Sequence, residues 1–287
     1  MELIYRVKKP ETIQRFIKEN HIPIKILQRD EKHYKIFVNN KIKSRKETVR
    51  KGDKIHFHIK DETIDNIKPQ AYKLEVVYED EQILIVNKPV NMRQMVSKKH
   101  PENTLANIIV DYYKKNNINA KLHFINRLDK DNSGLVVLAK HRFIKFLLSE
   151  KLNNEVVFFY KAIVDGKLPE KKFSIALPIS RKKDSSLREV SEDGKECETN
   201  YTVEKEFGDF SILDIKIKNK LTHQIKVHLS YFDFPIVGDK YYNKSKYNVK
   251  RPLLHNYKAI FIQPITEEEL TIKTDLPQEF SEFIKQH

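Results

Sequence analysis

The sequence predicts an α+β fold in which helices flank a largely antiparallel sheet. Strand-like segments are many and helical ones are few, which favours this class over a regular α/β fold. The apolar content is sufficient for a real core, since 39% of the 287 residues are hydrophobic and 16 Phe and 13 Tyr are present. The apolar run at 135–139, rich in Leu and Val, predicts a strand buried on both faces.

Residues 1–70 are predicted to form a small separate domain. Ile13, Phe16 and Ile17 have the spacing of one helix face, and Thr12 precedes them as a candidate cap. The domain continues with an apolar stretch at 22–27, a strand–turn–strand pattern around Asn39-Asn40 and an alternating strand after a turn at 51–53.

A polar stretch at 61–72, without apolar periodicity, is the predicted linker to a second domain at 71–287. The second domain also contains a charged segment at 180–196, which predicts a loop or a hairpin. The predicted strands of the second domain are 74–78, 83–86, 135–139, 157–164, 201–205, 212–217 and 259–263, and its predicted helices are 104–115, 142–152 and 222–232.

The net charge of +14 indicates a polyanionic partner, with nucleic acid as the first candidate. An AT-rich genome would enrich Lys, but it would not create the excess of 54 Lys and Arg over 40 Asp and Glu. The 6 glycines form neither a dinucleotide-binding pattern nor a P-loop, which argues against a nucleotide site.

The chain has no apolar segment near the roughly 20 residues that a membrane span requires. Its start lacks the pattern of a signal peptide. The single cysteine, Cys197, excludes an internal disulfide and a thiolate metal site. We therefore expect a cytoplasmic protein that does not bind membranes.

The histidines do not predict a metal site. His56 and His58 share one strand face but lack further ligands. His223 and His228 are five residues apart and would face different directions on a helix. Buried hydrogen bonding is the better interpretation of the second pair.

A charged turn at 126–131 comes just before the apolar run at 135–139. Arg127 and Asp129 would therefore stand at the mouth of a rigid core element. Side chains in that position can be held in one geometry, as a functional site requires.

This turn and strand resemble the Arg-Leu-Asp signature of RluA-type pseudouridine synthases. Four further segments resemble family motifs and follow the family's order, so that the resemblance spans residues 74–287. They are YEDEQILIVNKP at 78–89, YKAIVDG at 160–166, LTHQIKVHL at 221–229 with PIVGDKYY at 235–242, and LLHNY at 253–257 with FIQPIT at 261–266.

The resemblance implies that the protein isomerises uridine in RNA to pseudouridine, with Asp129 as the catalytic aspartate. The reaction breaks the C1′–N1 bond, turns the uracil and joins its C5 to C1′. Nothing is oxidised and no group is donated, so no cofactor or metal is required. The carboxylate can attack C1′ or remove the 2′ proton to give a glycal, and the sequence leaves both routes open.

The same resemblance implies roles for residues around Asp129. Tyr160 corresponds to the tyrosine that stacks on the uracil, and Lys226 to a basic residue that pairs with the aspartate and keeps it ionised. Arg127 corresponds to the arginine that helps to displace the base from its stack. Substrate contacts are expected from Arg127, Leu128, Asn126, His223, Gln224 and Lys88.

Residues 1–70 resemble the RNA-binding domain of small-subunit ribosomal protein four. Its basic side chains would contact RNA phosphates, although a solvated charged surface is an equally good interpretation. The segment at 180–196 would be an arm that grips RNA or a solvent-exposed excursion. The candidate RNA-contact residues are Lys41, Lys43, Arg45, Lys46 and Arg50 in the domain, and Arg181 and Lys182 in the arm.

The chain departs from the family pattern at several positions. The departures motivate an alternative, a catalytically altered RNA-binding or ribosome-assembly protein on the same fold. The retained Asp129, Tyr160 and Lys226 favour an enzyme. The departures are Asn126 for histidine, Asn132 for threonine, Asn91 for glycine, Met95 for histidine and Lys220-Leu221 for Gly-Arg.

The expected protein is therefore a monomeric RNA pseudouridine synthase that acts on large-subunit ribosomal RNA, with tRNA as the alternative substrate. RNA is the one macromolecular partner expected, and no small-molecule cofactor is expected. A glycoside hydrolase that uses Asp129 and Asp131 agrees poorly with the basic charge.

Overall fold

The computed structural model of the protein describes residues 2–20, 22, 34–59, 66–148, 156–217, 221–242, 246–247 and 249–287. Within these ranges no helix is both long enough and apolar enough to cross a membrane. The predicted α+β class is confirmed, because most strand pairs of the main sheet are antiparallel and the helices are few. Most of the 22–27 stretch, part of the linker and the end of the 142–152 helix lie outside the described residues.

Residues 2–59 form a sheet of their own. Its strands are β1 (Glu2–Arg6), β3 (Tyr34–Val38), β4 (Lys41–Ile42) and β6 (Lys54–Ile59), while β2 (Glu11–Thr12) pairs with β5 (Thr48–Val49) and helix α1 covers Ile13–Glu19. The sheet order is β1-β6-β3-β4, and each neighbouring pair is antiparallel.

Local signals in the sequence explain two of these elements. Helix α1 begins after Thr12, whose hydroxyl accepts a hydrogen bond from the backbone N–H of Arg15 at 3.3 Å, and its predicted apolar face is buried. The turn between β3 and β4 holds Asn39 and Asn40 at φ angles of 48° and 67°. Asparagine tolerates this left-handed region well, so the predicted hairpin is confirmed.

Twelve strands are described after residue 66. They are β7 (Val76–Glu79), β8 (Ile83–Lys88), β9 (His123–Phe124), β10 (Ser133–Ala139), β11 (Val157–Asp165), β12 (Lys172–Ile175), β13 (Ile179–Arg181), β14 (Arg188–Val190), β15 (Thr199–Glu206), β16 (Phe210–Ile217), β17 (Leu254–Ile262) and β18 (Glu269–Lys273). Each predicted strand of this region overlaps an observed one, whereas β9, β12 and β18 were not predicted.

Ten of these strands form the main sheet, in the order β12-β15-β16-β11-β17-β10-β8-β7, with β18 beside β17 and β9 beside β10. Strand β10 runs parallel to β17 and antiparallel to β8. The remaining two strands, β13 and β14, pair with each other outside the main sheet. The charged segment at 180–196 is therefore a hairpin, one of the two predicted forms.

Four helices are described in the same region: α2 (Leu105–Lys115), α3 (Arg142–Leu147), α4 (Gln224–Tyr231) and α5 (Gln278–Gln286). Helix α2 starts where the sequence predicts it, because Thr104 and Asn107 cap it reciprocally. Helix α5 was not predicted, and it buries Phe280 and Phe283 in a second apolar cluster with Phe210.

Strand β10 positions the charged turn at 126–131. All seven of its residues are buried, which confirms the prediction from its composition. Two side-chain amides, from Asn126 and Asn256, donate to the carbonyl of Leu135 at 2.9 and 2.8 Å. The turn is therefore attached to a strand whose backbone is held from both sides.

Candidate active site

An open cleft of about 1360 Å³ lies beside the turn that precedes β10. The turn forms one wall, and the start of α4 and the β13–β14 hairpin contribute others. The site predicted at the mouth of this strand is thus a concave surface of the folded chain. Of the predicted site residues, the lining contains Asn126, Arg127, Leu128, Asp129, His223 and Lys226.

The side chain of Asp129 is 21% exposed within this cleft. Its Oδ2 accepts a hydrogen bond from Asn132 Nδ2 at 3.0 Å, and its backbone carbonyl accepts from the Asn132 N–H at 3.2 Å. On the other side, His223 Nε2 lies 3.8 Å from Asp129 Oδ1. A carboxylate that is held by a hydrogen bond, faces an imidazole and is open to a cleft has the arrangement of a nucleophile or a general base.

Tyr160 lies in the middle of β11 and is completely buried. Burial raises the pKa of its hydroxyl, and the negative charge of Asp129 raises it further. The phenol therefore stays protonated at neutral pH within electrostatic range of the carboxylate. Its ring is not part of the cleft lining, so the structure places Tyr160 near Asp129 but behind the cleft surface.

Lys226 is almost completely buried on α4, and its ammonium lies 3.5 Å from Asp239 Oδ2. This corrects the expectation of an ion pair with Asp129: among the described residues the ion-pair partner is Asp239. The physical reason is burial, since the Asp239 side chain has no exposed surface. Leaving such a buried carboxylate without its cation would destabilise the fold by about 3–5 kcal/mol. Lys226 still lines the same cleft as Asp129.

Lys88 and Gln224, which were expected to contact substrate, do not line the cleft. The buried Lys88 ammonium donates to three backbone carbonyls at 2.9, 2.9 and 3.3 Å, one of them that of Lys130 in the charged turn. Gln224 Nε2 donates to the Glu198 carbonyl at 2.9 Å, and its Oε1 accepts from the Leu221 N–H at 2.9 Å. Both side chains therefore hold loops around the site in place.

The Asn126 side chain faces the interior, although the residue borders the cleft. Its Oδ1 accepts from the Val137 N–H at 2.9 Å while its Nδ2 donates to Leu135. Gln94, which the sequence did not single out, donates to the Asn126 carbonyl at 2.8 Å and accepts from the Leu128 N–H at 2.7 Å. The expected contact of the Asn126 side chain with substrate is thus corrected to a role in shaping the turn.

The cleft also has more cations than the sequence predicted. Arg127 is exposed at its edge, where a guanidinium can reach a phosphate or an unstacked base. Two of the additional cations lie in the charged segment at 180–196, whereas the others come from a distant loop and from helix α3 and gave no local signal. The additional cations are Arg93, Lys145, Arg188 and Lys195.

The candidate RNA-contact residues outside the cleft lie at least partly on the surface. Lys43 forms an ion pair with Glu47 at 2.5 Å, and Arg181 Nε donates to the Ser185 carbonyl at 2.7 Å. The others are Lys41, Arg45, Lys46, Arg50 and Lys182.

His228 confirms the prediction of a buried, hydrogen-bonded histidine. Its Nδ1 lies 2.9 Å from Thr199 Oγ1 and its Nε2 lies 2.9 Å from the Leu177 carbonyl. Burial lowers the pKa of His228, and it raises the pKa of the Cys197 thiol to about 11, so that the thiol is passive at neutral pH. No group of three His, Cys, Asp or Glu side chains suited to a metal ion occurs within the described ranges.

Comparison with known proteins agrees with this geometry. A sequence family described as RNA pseudouridylate synthase matches residues 82–231. The RNA pseudouridine synthase YjbO of Bacillus subtilis is 32% identical over 84% of this chain and 86% of its own length. The ribosomal large subunit pseudouridine synthase D of Borreliella burgdorferi is 33% identical over 73% of this chain and 68% of its own length.

The solved structure of human RNA pseudouridylate synthase domain containing 4 shares the fold. It superposes with a TM-score of 0.60 at 21% identity, over 74% of this chain and 92% of its own length. The family match and the sequence relatives identify the protein as an isomerase that acts on RNA. The chain belongs to the RNA pseudouridylate synthase family, and the resemblance to its RluA-type members is confirmed.

Proposed function

We propose that the protein converts uridine to pseudouridine in large-subunit ribosomal RNA, with Asp129 as the group that acts on the ribose. The observation that carries this proposal is the Asp129 carboxylate, oriented by Asn132 and His223 and open to a cation-lined cleft. The choice of RNA is supported by relatives from Borreliella burgdorferi and Blochmanniella floridana, both named ribosomal large subunit pseudouridine synthase D.

The chemistry needs few groups. The C1′–N1 bond breaks, the uracil turns, the C1′–C5 bond forms, C5 loses its proton, and N1 gains one. Asp129 can begin the reaction by attack on C1′ or by removal of the 2′ proton. Since no electrons are exchanged with a partner and no group is transferred from one, the balance of the reaction requires no cofactor or metal.

We assign the remaining roles from position. Arg127 is exposed at the cleft edge and would help to extrude the uridine, because C1′ and C5 are inaccessible in a stacked helix. Tyr160 would receive the uracil and assist the loss of the C5 proton. Because its ring is covered in the structure, the lining of the cleft must shift before the base can stack on it. Lys226 would supply positive charge next to the reacting groups.

The substrate assignment is tested by mapping pseudouridines in total RNA from a strain that lacks the gene. We expect one or a few pseudouridines to disappear from large-subunit ribosomal RNA and to return when the wild-type gene is restored. Loss of a tRNA pseudouridine alone would replace the ribosomal assignment by tRNA. An unchanged map, together with an inactive purified protein, would favour a binding protein without catalysis.

We also propose that residues 1–70 form an RNA-binding domain and residues 71–287 the catalytic domain of a cytoplasmic monomer. The support for the first domain is its separate sheet and its exposed basic residues. A cytoplasmic location follows from the proposed ribosomal substrate, and a single chain already contains each residue assigned to the site.

Three charge removals in the full-length protein test the N-terminal domain. The variant with Lys41→Gln, Lys46→Gln and Arg50→Gln should bind RNA more weakly, and its salt dependence should have a log–log slope smaller by roughly 2–3, because each lost phosphate contact contributes about 0.7–0.9.

A matched control removes three exposed charges elsewhere, at Lys114, Lys167 and Lys285. The control should keep the wild-type slope. Equal slopes in the two triple variants would remove the N-terminal domain from the RNA interface.

A further inference from the structure

The Tyr242 side chain connects two walls of the cleft. Its hydroxyl accepts a hydrogen bond from the backbone N–H of Arg188 in the β13–β14 hairpin at 2.9 Å. The same hydroxyl lies 2.5 Å from Nδ1 of His223, the residue just before α4. The two rings meet edge to face, with centroids 5.5 Å apart. Tyr242 therefore contacts the imidazole that faces Asp129.

These contacts assign the proton on His223. Burial raises the pKa of Tyr242 to about 12, and the charges of Asp239 and Asp129 add to this effect, so the hydroxyl keeps its proton at neutral pH. The oxygen already accepts from Arg188, which leaves its proton for the Nδ1 lone pair. A neutral His223 then carries its own proton on Nε2, the nitrogen 3.8 Å from Asp129 Oδ1.

The backbone of His223 shows that the ring is placed for this contact and not to cap the helix. The residue has a left-handed conformation, with φ 59° and ψ 10°, and its side chain makes no capping hydrogen bond to α4. The N-caps of α1 and α2, Thr12 and Thr104, do make such bonds. The His223 carbonyl accepts the Val227 N–H at 3.0 Å, but the side chain does not cap the helix, and an uncommon backbone conformation of this kind often occurs at functional positions.

The neighbouring cation, Lys226, does not take the place of the His223 imidazole beside Asp129. Lys226 forms its ion pair with the buried Asp239, three residues before Tyr242. Asp239 also accepts from the Tyr241 N–H at 2.9 Å, so the turn at 239–242 is held at its start. One turn thus holds Lys226 through Asp239 and His223 through Tyr242.

We infer that Tyr242 holds His223 in the tautomer that is protonated on Nε2, and that this N–H orients the Asp129 carboxylate for attack. His223 and Tyr242 are then positioning residues of the isomerase. His223 acts on Asp129 directly and Tyr242 acts through His223. The inference rests on the proposed role of Asp129, and it replaces the expectation that His223 contacts the substrate.

Single-turnover kinetics with the full-length protein and C5-tritiated RNA test this arrangement, with the RNA dissociation constant measured separately. His223→Ala should lower the maximal rate constant about tenfold or more, with an RNA affinity within about twofold of wild type. His223→Gln should stay within about threefold of wild type, because the glutamine amide can place an N–H near the position of Nε2. Both variants place a residue with a Cβ in the same left-handed conformation, so their backbone strain is matched.

Tyr242→Phe should lower the maximal rate constant several-fold, and the double variant with His223→Ala should be no slower than His223→Ala alone. Tyr231→Phe, which removes the hydroxyl of an exposed tyrosine at the end of α4, should behave as wild type. This non-additivity is expected only if Tyr242 acts through His223.

Three results would overturn the inference. They are equal rates for His223→Ala and His223→Gln, a loss of RNA affinity without a loss of rate, and additive effects in the double variant. Asp129→Asn is measured in the same assay. If Asp129→Asn is active, the proposed function fails; if it is inactive while the His223 and Tyr242 variants react normally, only the present inference fails.

Discussion

Asp129→Asn is expected to fold and to bind RNA as the wild-type protein does, and to form no detectable pseudouridine. Asparagine keeps the size of the side chain, and its amide oxygen can still accept the hydrogen bond from Asn132. It lacks the charge that attacks C1′ or removes the 2′ proton. The measurement is single-turnover release of tritium from RNA labelled at uridine C5, together with RNA affinity and a urea unfolding curve.

Asp131→Asn is the matched control for this experiment. Asp131 lies two residues further along the same turn and lines the same cleft, but no family motif gives it a role. We expect this variant to remain active. Residual activity of Asp129→Asn within about tenfold of wild type, which is under about 1.4 kcal/mol of activation free energy, would exclude Asp129 as the reacting group.

Gly134→Ala is expected to have the largest effect on stability. Gly134 lies where β10 pairs with β17, opposite Asn256, and has a φ angle of 116°. A Cβ at this position would lie 2.2 Å from the Asn256 carbonyl oxygen and 2.6 Å from its nitrogen. These are backbone atoms of a central strand and cannot move aside without breaking the sheet. We therefore expect more than about 4 kcal/mol of lost stability, or no folded catalytic domain.

Gly208→Ala provides the control, because Gly208 is exposed and no atom lies within 4 Å of a Cβ built on it. This substitution should change the free energy of unfolding by less than about 1 kcal/mol. Urea unfolding followed by far-UV circular dichroism compares the two variants. Similar midpoints would show that β10 and β17 can separate, and the close approach at Gly134 would then not be essential to the fold.

The elements that the sequence predicted well depend on neighbouring residues. The run at 135–139 is apolar throughout, so it could only be a fully buried strand or part of a buried helix, and its length favours a strand. The predicted start of helix α2 was also correct, and in the structure Thr104 and Asn107, three residues apart, cap it reciprocally. The turn at Asn39 and Asn40 is equally local.

Strand β1 and helix α5 were not predicted because both segments are short, with 5 and 9 residues, so that neither shows a sustained periodic pattern. Strand β1 is held by pairing with β6, some fifty residues away in the chain. Helix α5 is held by Phe280 and Phe283, which find Phe210 only after the sheet has formed. Tertiary contacts of this kind override weak local preference.

In the cleft, too, some features were predicted from the sequence and others depend on the fold. Its location and its carboxylate were predicted, because Arg127 and Asp129 are adjacent to the buried strand. The partner of Lys226 was not predicted correctly, since Asp239 and Asp129 are both carboxylates and only the fold decides which lies within 3.5 Å. The inward-facing amide of Asn126 and the buried ammonium of Lys88 likewise depend on carbonyls that distant segments supply.

The sequence by itself thus determined the fold class, the family and the carboxylate that we propose as the reacting group, because each depends on the identity and the spacing of residues close together in the chain. Only the tertiary structure decided which distant side chains lie beside that carboxylate. His223 and Tyr242 are 94 and 113 residues from Asp129 in the chain, yet the structure places His223 Nε2 3.8 Å from Asp129 and Tyr242 2.5 Å from His223. Contacts this short depend on how strands and helices pack, and the distance between residues along the chain does not reveal them.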